Sequence, residues 1–151
     1  MSQSAAAELS VTQLSVLQRG SAGILITVGE DDFPTTAFVW AVAASSKTAR
    51  FATEGSATLA NLRREGSASL QILGTQNQVF LIKGTTSIAK PRLEALPFES
   101  TMMNLHVTEV KDQTWPEVFV SPLTYEWTSD HREEWRATEQ ALYREMLEWK
   151  P

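Results

Sequence analysis

The chain has 151 residues, 42% of them apolar and 21% charged, a formal net charge of −5 and no cysteine. That length and balance suit one packed domain, here taken as 1–151, and exclude a disordered chain. The missing cysteines exclude disulfide scaffolds and thiolate metal centres, and the absence of a basic run argues against binding a nucleic-acid backbone.

The opening "MSQSAAAELS" lacks the basic start and apolar core of a signal peptide, and residues 1–9 are expected to be flexible. No apolar run approaches the roughly 20 residues that span a bilayer, so the expectation is a cytoplasmic protein with no membrane partner. Ser10 and Gln13 have the spacing of a capping box, and Val11, Leu14 and Leu17 form a short apolar face on a first helix that Gly20 ends. The period then changes. Ala22–Val28 is a continuous apolar run of strand length, "GEDDFP" is turn chemistry, and Thr35–Ala43 and Ala49–Thr53 read as two more strands of a meander. The connections are too short for parallel crossovers.

A second helix is predicted over Ser56–Glu65, with Leu59 and Leu62 inward and Gly66 closing it. Ser67–Leu73 and Asn77–Ala89 read as a hairpin that can bend at Gly84. Lys90–Ser100 is a loop or short helix between prolines, Thr101–Asp112 alternates like a strand, and Trp115–Trp127 contains one more strand interrupted at Pro122. Residues 130–149 form a long C-terminal helix, with Asp130 and Glu133 as its capping box and Trp135, Leu142, Met146 and Trp149 at helical spacing. The fold class is mainly β with flanking helices. About six or seven antiparallel strands hide their edges best by closing into a small barrel.

The junction "FATEGSATLANLRRE", Phe51–Glu65, joins a strand to a helix start rich in hydroxyls. Free N–H groups at such a start can hold a phosphate, while the bland reading is a capped helix after a turn. Together with the order of parts, the run "GEDDFPTTAFVWAVAASSKTARFATEGSATLANLRREGSASLQI" resembles the pyridoxamine 5′-phosphate oxidase-like family of FMN-binding split barrels. The resemblance covers roughly Ser10 to Asp112. It implies an antiparallel split β-barrel that dimerises with itself and holds FMN at the interface. The ring would lie along Phe38, Val39, Trp40 and Ala41, and the phosphate near the strand–helix junction. Thr53 matches the threonine that ends the third strand, while Ala52 stands where the oxidases have an aromatic. Ser56, Ala57 and Thr58 stand at the phosphate-holding Ser-Arg-Lys run, and only the serine matches. Asn61 and Leu62 match an Asn-Leu pair, and Gln78 matches a glutamine that contacts the ring. Ala37 and Val42 replace an arginine and a lysine.

The resemblance implies cofactor contacts from Ala52, Thr53, Ser56, Thr58, Asn61 and Gln78, and a stacking Trp115 from the partner subunit. The preferred reading of Trp115 is an interface anchor, because tryptophan is enriched there in any case. Arg63 and Arg64 sit about two turns beyond Ser56, roughly 10 Å along the axis, and are read as solvent charges at the helix C-terminus. His106 reads as a surface or interface histidine. His131 and Glu134 make at most half a metal site, so no metal is expected. No nucleophile–base pattern, P-loop or Rossmann fingerprint is present, so a cofactor would carry any chemistry, and no catalytic residue or substrate can be named. The leading reading is a flavin-dependent oxidoreductase-like protein. The alternatives are a non-catalytic dimeric module that has lost tight FMN binding, and a barrel using haem or F420.

Overall fold

The computed structural model describes residues 4–151. Its strands are β1 (Ser4–Ala6), β2 (Ser21–Val28), β3 (Pro34–Ser45), β4 (Thr48–Thr53), β5 (Ser67–Leu73), β6 (Val79–Lys90) and β7 (Thr101–Asp112). Its helices are α1 (Val11–Gln18), α2 (Ser56–Glu65) and α3 (Arg132–Glu148). All paired strands are antiparallel, in the order β1-β7-β4-β3-β2-β5-β6, and β6 returns to β7 so that β2 to β7 close into a barrel. Closure removes the exposed edges that an open sheet of this size would present.

Two apolar clusters form on opposite sides of one barrel wall. Val39, Ala41 and Ala43 of β3 and Ala49 and Phe51 of β4 point into the barrel with Leu25, Leu70, Ile82 and Leu105. Their alternates Val42 and Ala52 point outward, with Met102, and meet Leu142, Tyr143 and Met146 of α3 and Leu93 and Leu96 of the 91–100 loop. A wall buried on both faces reads as a continuous apolar run, which is why "FVWAVA" shows little alternation.

The α1 capping box forms. The Ser10 Oγ accepts from the Gln13 N–H (3.2 Å) and the Gln13 Oε1 accepts from the Ser10 N–H (2.9 Å). The helix face is turned from the predicted one: Gln13, Val16 and Leu17 are buried, whereas Val11, in the first turn, is 87% exposed. Of the segment expected to be flexible, residues 1–3 lie outside the described residues. From residue 4 the chain is held instead, because β7 runs past the end of β4 and β1 covers the edge left open, pairing with Val110–Asp112. Leu9 is buried and its N–H bonds to the Ser46 carbonyl.

Helix α2 and strands β5 and β7 agree with the predicted bounds to the residue. Gly66 closes α2 in the left-handed conformation, φ 65°. The 91–100 segment is an irregular loop rather than a helix. The strand predicted within Trp115–Trp127 does not form. Pro116 and Pro122 remove donors a ladder would need, and the segment runs as an extended strap. Asn77 pins it, accepting from the Val120 N–H (2.8 Å) and donating to the Val118 carbonyl (2.9 Å), and Leu123 N–H reaches the Leu73 carbonyl. The predicted Asp130–Glu133 box is also absent. Helix α3 starts later, its N-cap is His131 with no side-chain capping bond, and the Ser129 hydroxyl accepts from the His131 N–H. No helix among the described residues is long and apolar enough to cross a membrane.

Candidate functional site

The β3–β4 ladder runs from Ser45 only as far as Ala41 opposite Phe51. Towards Pro34, β3 pairs with β2 alone, and β4 leaves at Thr53 for the turn into α2. Between the parted strands lies a cleft of about 310 Å³. Phe38, Val39 and Trp40 form one wall, Ala52 to Gly55 and Thr58 another, and Leu96, Phe98 and Ser100 of the 91–100 loop the third.

At the end nearest α2 the cleft is rich in hydrogen-bonding groups and poor in charge. The α2 N-cap is Gly55, which has no side chain to cap the helix, and the first turn holds no acidic residue. The helix N-terminus therefore keeps its partial positive charge towards the cleft. Thr53 is buried at the strand end, and Thr58 stands one turn into α2. Ser100 is 4% exposed, and its hydroxyl has no hydrogen-bond partner. A buried unpaired hydroxyl is costly unless something completes it. No lysine or arginine lines this cleft, and Glu54 does. An adjoining cleft of about 240 Å³ shares Thr53, Glu54, Gly55 and Ser100 and adds Arg92, which lies 3.5 Å from Glu99.

Of the residues expected at a cofactor, Phe38, Val39, Trp40, Ala52, Thr53 and Thr58 meet in this one cleft. Ser56 opens α2, but its side chain lies outside the described residues. Ala41 is instead fully buried in the barrel core, because alternation turns it inward. Asn61 is 7% exposed, on the barrel side of α2. It donates to Thr27 Oγ1 (3.1 Å), which fastens α2 to β2, and accepts from Arg64 of its own helix (2.8 Å), so both ends of its amide are engaged. Arg64 also donates to the Val28 carbonyl (2.7 Å), away from the cleft. Gln78 sits beside the β5–β6 turn, bonded to the Gln76 carbonyl, and Trp115 is 54% exposed on the strap. Neither lines the cleft of its own chain. His106 is exposed and bonds to Ser87 (2.9 Å), and His131 lies 3.5 Å from Glu134 in solvent. No group of three His, Asp or Glu among the described residues could hold a metal.

The third wall was not found by the sequence reading. Its signal was faint: Leu93 and Leu96 between two prolines and Phe98 just after the second, a spacing that fits no regular period. Glu145 of α3 fixes this loop. Its carboxylate accepts from the N–H groups of Glu94 (2.9 Å) and Ala95 (2.7 Å) and from Lys90 Nζ (2.8 Å). Burial pushes the Glu145 carboxyl up, but these bonds outweigh it and hold it below the ordinary glutamate range, while the same pairing raises Lys90. Folding is thus favoured by ionised Glu145 above its unfolded pKa, and that contribution is lost as pH falls through the lower folded value. Glu145→Ala is expected to cost about 1–2 kcal/mol, discounted for partial exposure. It should speed amide exchange at Glu94 and Ala95 selectively. Unchanged exchange there would show that the loop holds without the carboxylate.

No family model matches the chain, and no curated protein matches it in sequence. Solved structures do. A candidate pyridoxamine 5′-phosphate oxidase from Lactobacillus delbrueckii superposes with a TM-score of 0.57 at 16% identity, over 73% of this chain and 98% of that one. HupZ of Group A Streptococcus matches with a TM-score of 0.57 at 12% identity, over 70% of this chain and 94% of that one. A structure named F420 reductase matches with a TM-score of 0.54 at 15% identity, over 64% and 93%. At such identities the likeness is one of fold: the chain has the pyridoxamine 5′-phosphate oxidase-like split-barrel fold.

Proposed function

We propose that the cleft between β3 and α2 binds FMN, and that the protein is a flavin-dependent, oxidoreductase-like split barrel acting as a homodimer in the cytoplasm. The observation that carries this reading is the uncapped start of α2 beside the buried, unpartnered hydroxyl of Ser100. Hydroxyls of Thr53, Thr58 and Ser100 and the N–H groups of the helix start suit phosphate oxygens. The parted edge of β3 and the faces of Phe38 and Trp40 suit a planar ring. When bound, FMN would supply the hydride chemistry, and the chain's own residues would orient it and exclude water. Gln78 and Trp115, remote from the cleft of their own chain, would complete the cleft of the second copy. Exposed Phe38, Trp115, Val118 and Phe119 favour such a contact.

The group fits without a salt bridge. Hydroxyls and amides can bond a phosphate oxyanion, but with no lysine or arginine in the cleft the ion pairing that a cationic donor adds is missing, so FMN should exchange readily. The same lack of cations disfavours F420 with its acidic tail, and neither histidine lines the cleft to ligate haem. Glu54 and the missing cations also favour the second reading, a dimeric module that has lost its flavin.

Incubation with FMN followed by gel filtration and titration of flavin fluorescence decides between them. Saturable binding is expected in the micromolar range, about −8 kcal/mol. Ser100→Ala should weaken it several-fold while leaving the free protein as stable or slightly more so, because an unsatisfied buried hydroxyl is removed. A colourless protein with no saturable response would overturn the flavin reading and leave the binding module.

A further inference from the structure

The indole of Trp40 is held more firmly than a cleft wall requires. Its Nε1–H is shared between the Tyr125 hydroxyl and the Glu139 carboxylate, the latter at 3.1 Å. Its ring packs on Trp127 with centroids 6.3 Å apart and planes 27° from parallel, and Trp127 stacks on Trp135 at 5.0 Å and 10°. Phe38, next along the same face of β3, meets Tyr125 edge-on at 5.4 Å. Packing alone would keep Trp40 against the sheet. The two polar partners fix its rotation, and they come from the strap and from α3, far from β3 in sequence.

Trp40 lines the β3 cleft, whereas Tyr125 and Glu139 line a second cleft of about 340 Å³ between α3, the strap and the start of β2. Around Glu139 stand Tyr143 and Arg136 of α3, Tyr125 and Glu126 of the strap, and Arg19 at the end of α1. Burial holds the Glu139 carboxyl above the ordinary glutamate range, with the Trp40 bond pulling the other way, and burial beside Glu139 raises Tyr143, which stays protonated. Arg136 is turned to Glu133 at 2.9 Å.

We propose that Glu139 and Tyr125 are positioning residues that lock the Trp40 indole as the wall of the β3 cleft, and that the lock loosens as Glu139 takes up a proton. A carboxylate accepts the indole proton strongly, and the neutral acid accepts it weakly. Ligand affinity at the cleft should therefore fall as pH falls through the raised value of Glu139. This consequence rests on the flavin reading; the lock itself does not.

The test reads the indole N–H resonances of the five tryptophans in a nitrogen-15 correlation spectrum across pH, with Trp40 assigned by its loss in Trp40→Phe. In the native protein the Trp40 signal should lie downfield and titrate with a midpoint above that of ordinary glutamate. Glu139→Gln, which keeps shape and one acceptor, should abolish that titration, and Tyr125→Phe should move the signal but leave it titrating. FMN affinity should drop about five- to tenfold in Glu139→Gln at neutral pH, with a flattened pH profile. A Trp40 signal that does not titrate, or titrates alike in Glu139→Gln, would overturn the lock. Failure of native protein to bind FMN would sink the flavin reading alone, because the indole titration stands without it. Unchanged FMN affinity with a lost titration would refute control of the cleft.

Discussion

Gly84→Ala is expected to destabilise the protein by about 3 kcal/mol, the upper end for overpacking into backbone. Strands β6 and β7 close the barrel, and their register shifts at this point: Lys83 faces Glu109, but Gly84 faces Val107. Thr108 is the extra residue, and its hydroxyl donates to the Lys83 carbonyl (3.1 Å). The bulge brings the two backbones so close that a β-carbon on Gly84 would overlap the carbonyl of His106. That neighbour is main chain in a paired strand and cannot rotate aside, so the ladder itself must move. For a chain of this length about 3 kcal/mol corresponds to a fall in Tm of roughly 6–12 °C. Urea unfolding of the variant measures it. A loss under about 1 kcal/mol would mean that the β6–β7 seam can slide, and that barrel closure depends little on this bulge.

The bend at Gly84 was legible because a lone glycine inside a strand-length run has few other uses. Local signals of this kind carried most of the fold. The Ser10 box, Gly66 at the end of α2 and the alternation of Thr101–Asp112 are written within a few residues of where they act. The cleft was half legible, and for a related reason. Phe38 to Trp40, Thr53 and Thr58 sit at a strand edge and a strand–helix junction, both visible as local patterns. Leu96, Phe98, Ser100, Tyr125 and Glu139 reach the same neighbourhood through contacts across the chain, such as Trp40 with Glu139, that no short-range period encodes. Two of the expected residues that do not line the cleft are instructive. Ala41 follows Trp40 but the pleat turns it inward, and Asn61 follows Thr58 by one helical turn, but both ends of its amide are spent on Thr27 and Arg64. The strap failed as a strand because propensity in "EVFV" was outweighed by Pro116 and Pro122 on either side.

Arg50→Ala carries an effect of the same size and a wider reach. Arg50 is charged and 9% exposed, on the outward face of β4 beneath the end of α3. Its Nη1 donates to the carbonyls of Met146 (2.8 Å) and Trp149 (2.9 Å), and its Nε donates to Asn104 Oδ1 (3.1 Å). Helix α3 has no basic residue in its last turn, so this guanidinium, sent up from the barrel, supplies both the hydrogen bonds and the positive charge that its C-terminus lacks. Burial lowers the Arg50 pKa, yet a guanidinium remains charged at any ordinary pH. Alanine would strand three acceptors and open a void beneath Met146, a loss of about 3 kcal/mol. Lysine, with one nitrogen and no fork, should recover less than half of it. The consequence for the cleft follows from what α3 carries. Glu145 ties down the loop that forms one wall, and Glu139 orients Trp40 in another. Loosening the helix end should therefore raise amide exchange over Leu142–Trp149 and weaken cleft binding together, although Arg50 touches no part of the cleft. If exchange rises and binding holds, the contacts of Glu139 and Glu145 suffice to seat the helix, and the cleft is set by its middle turns rather than by its end.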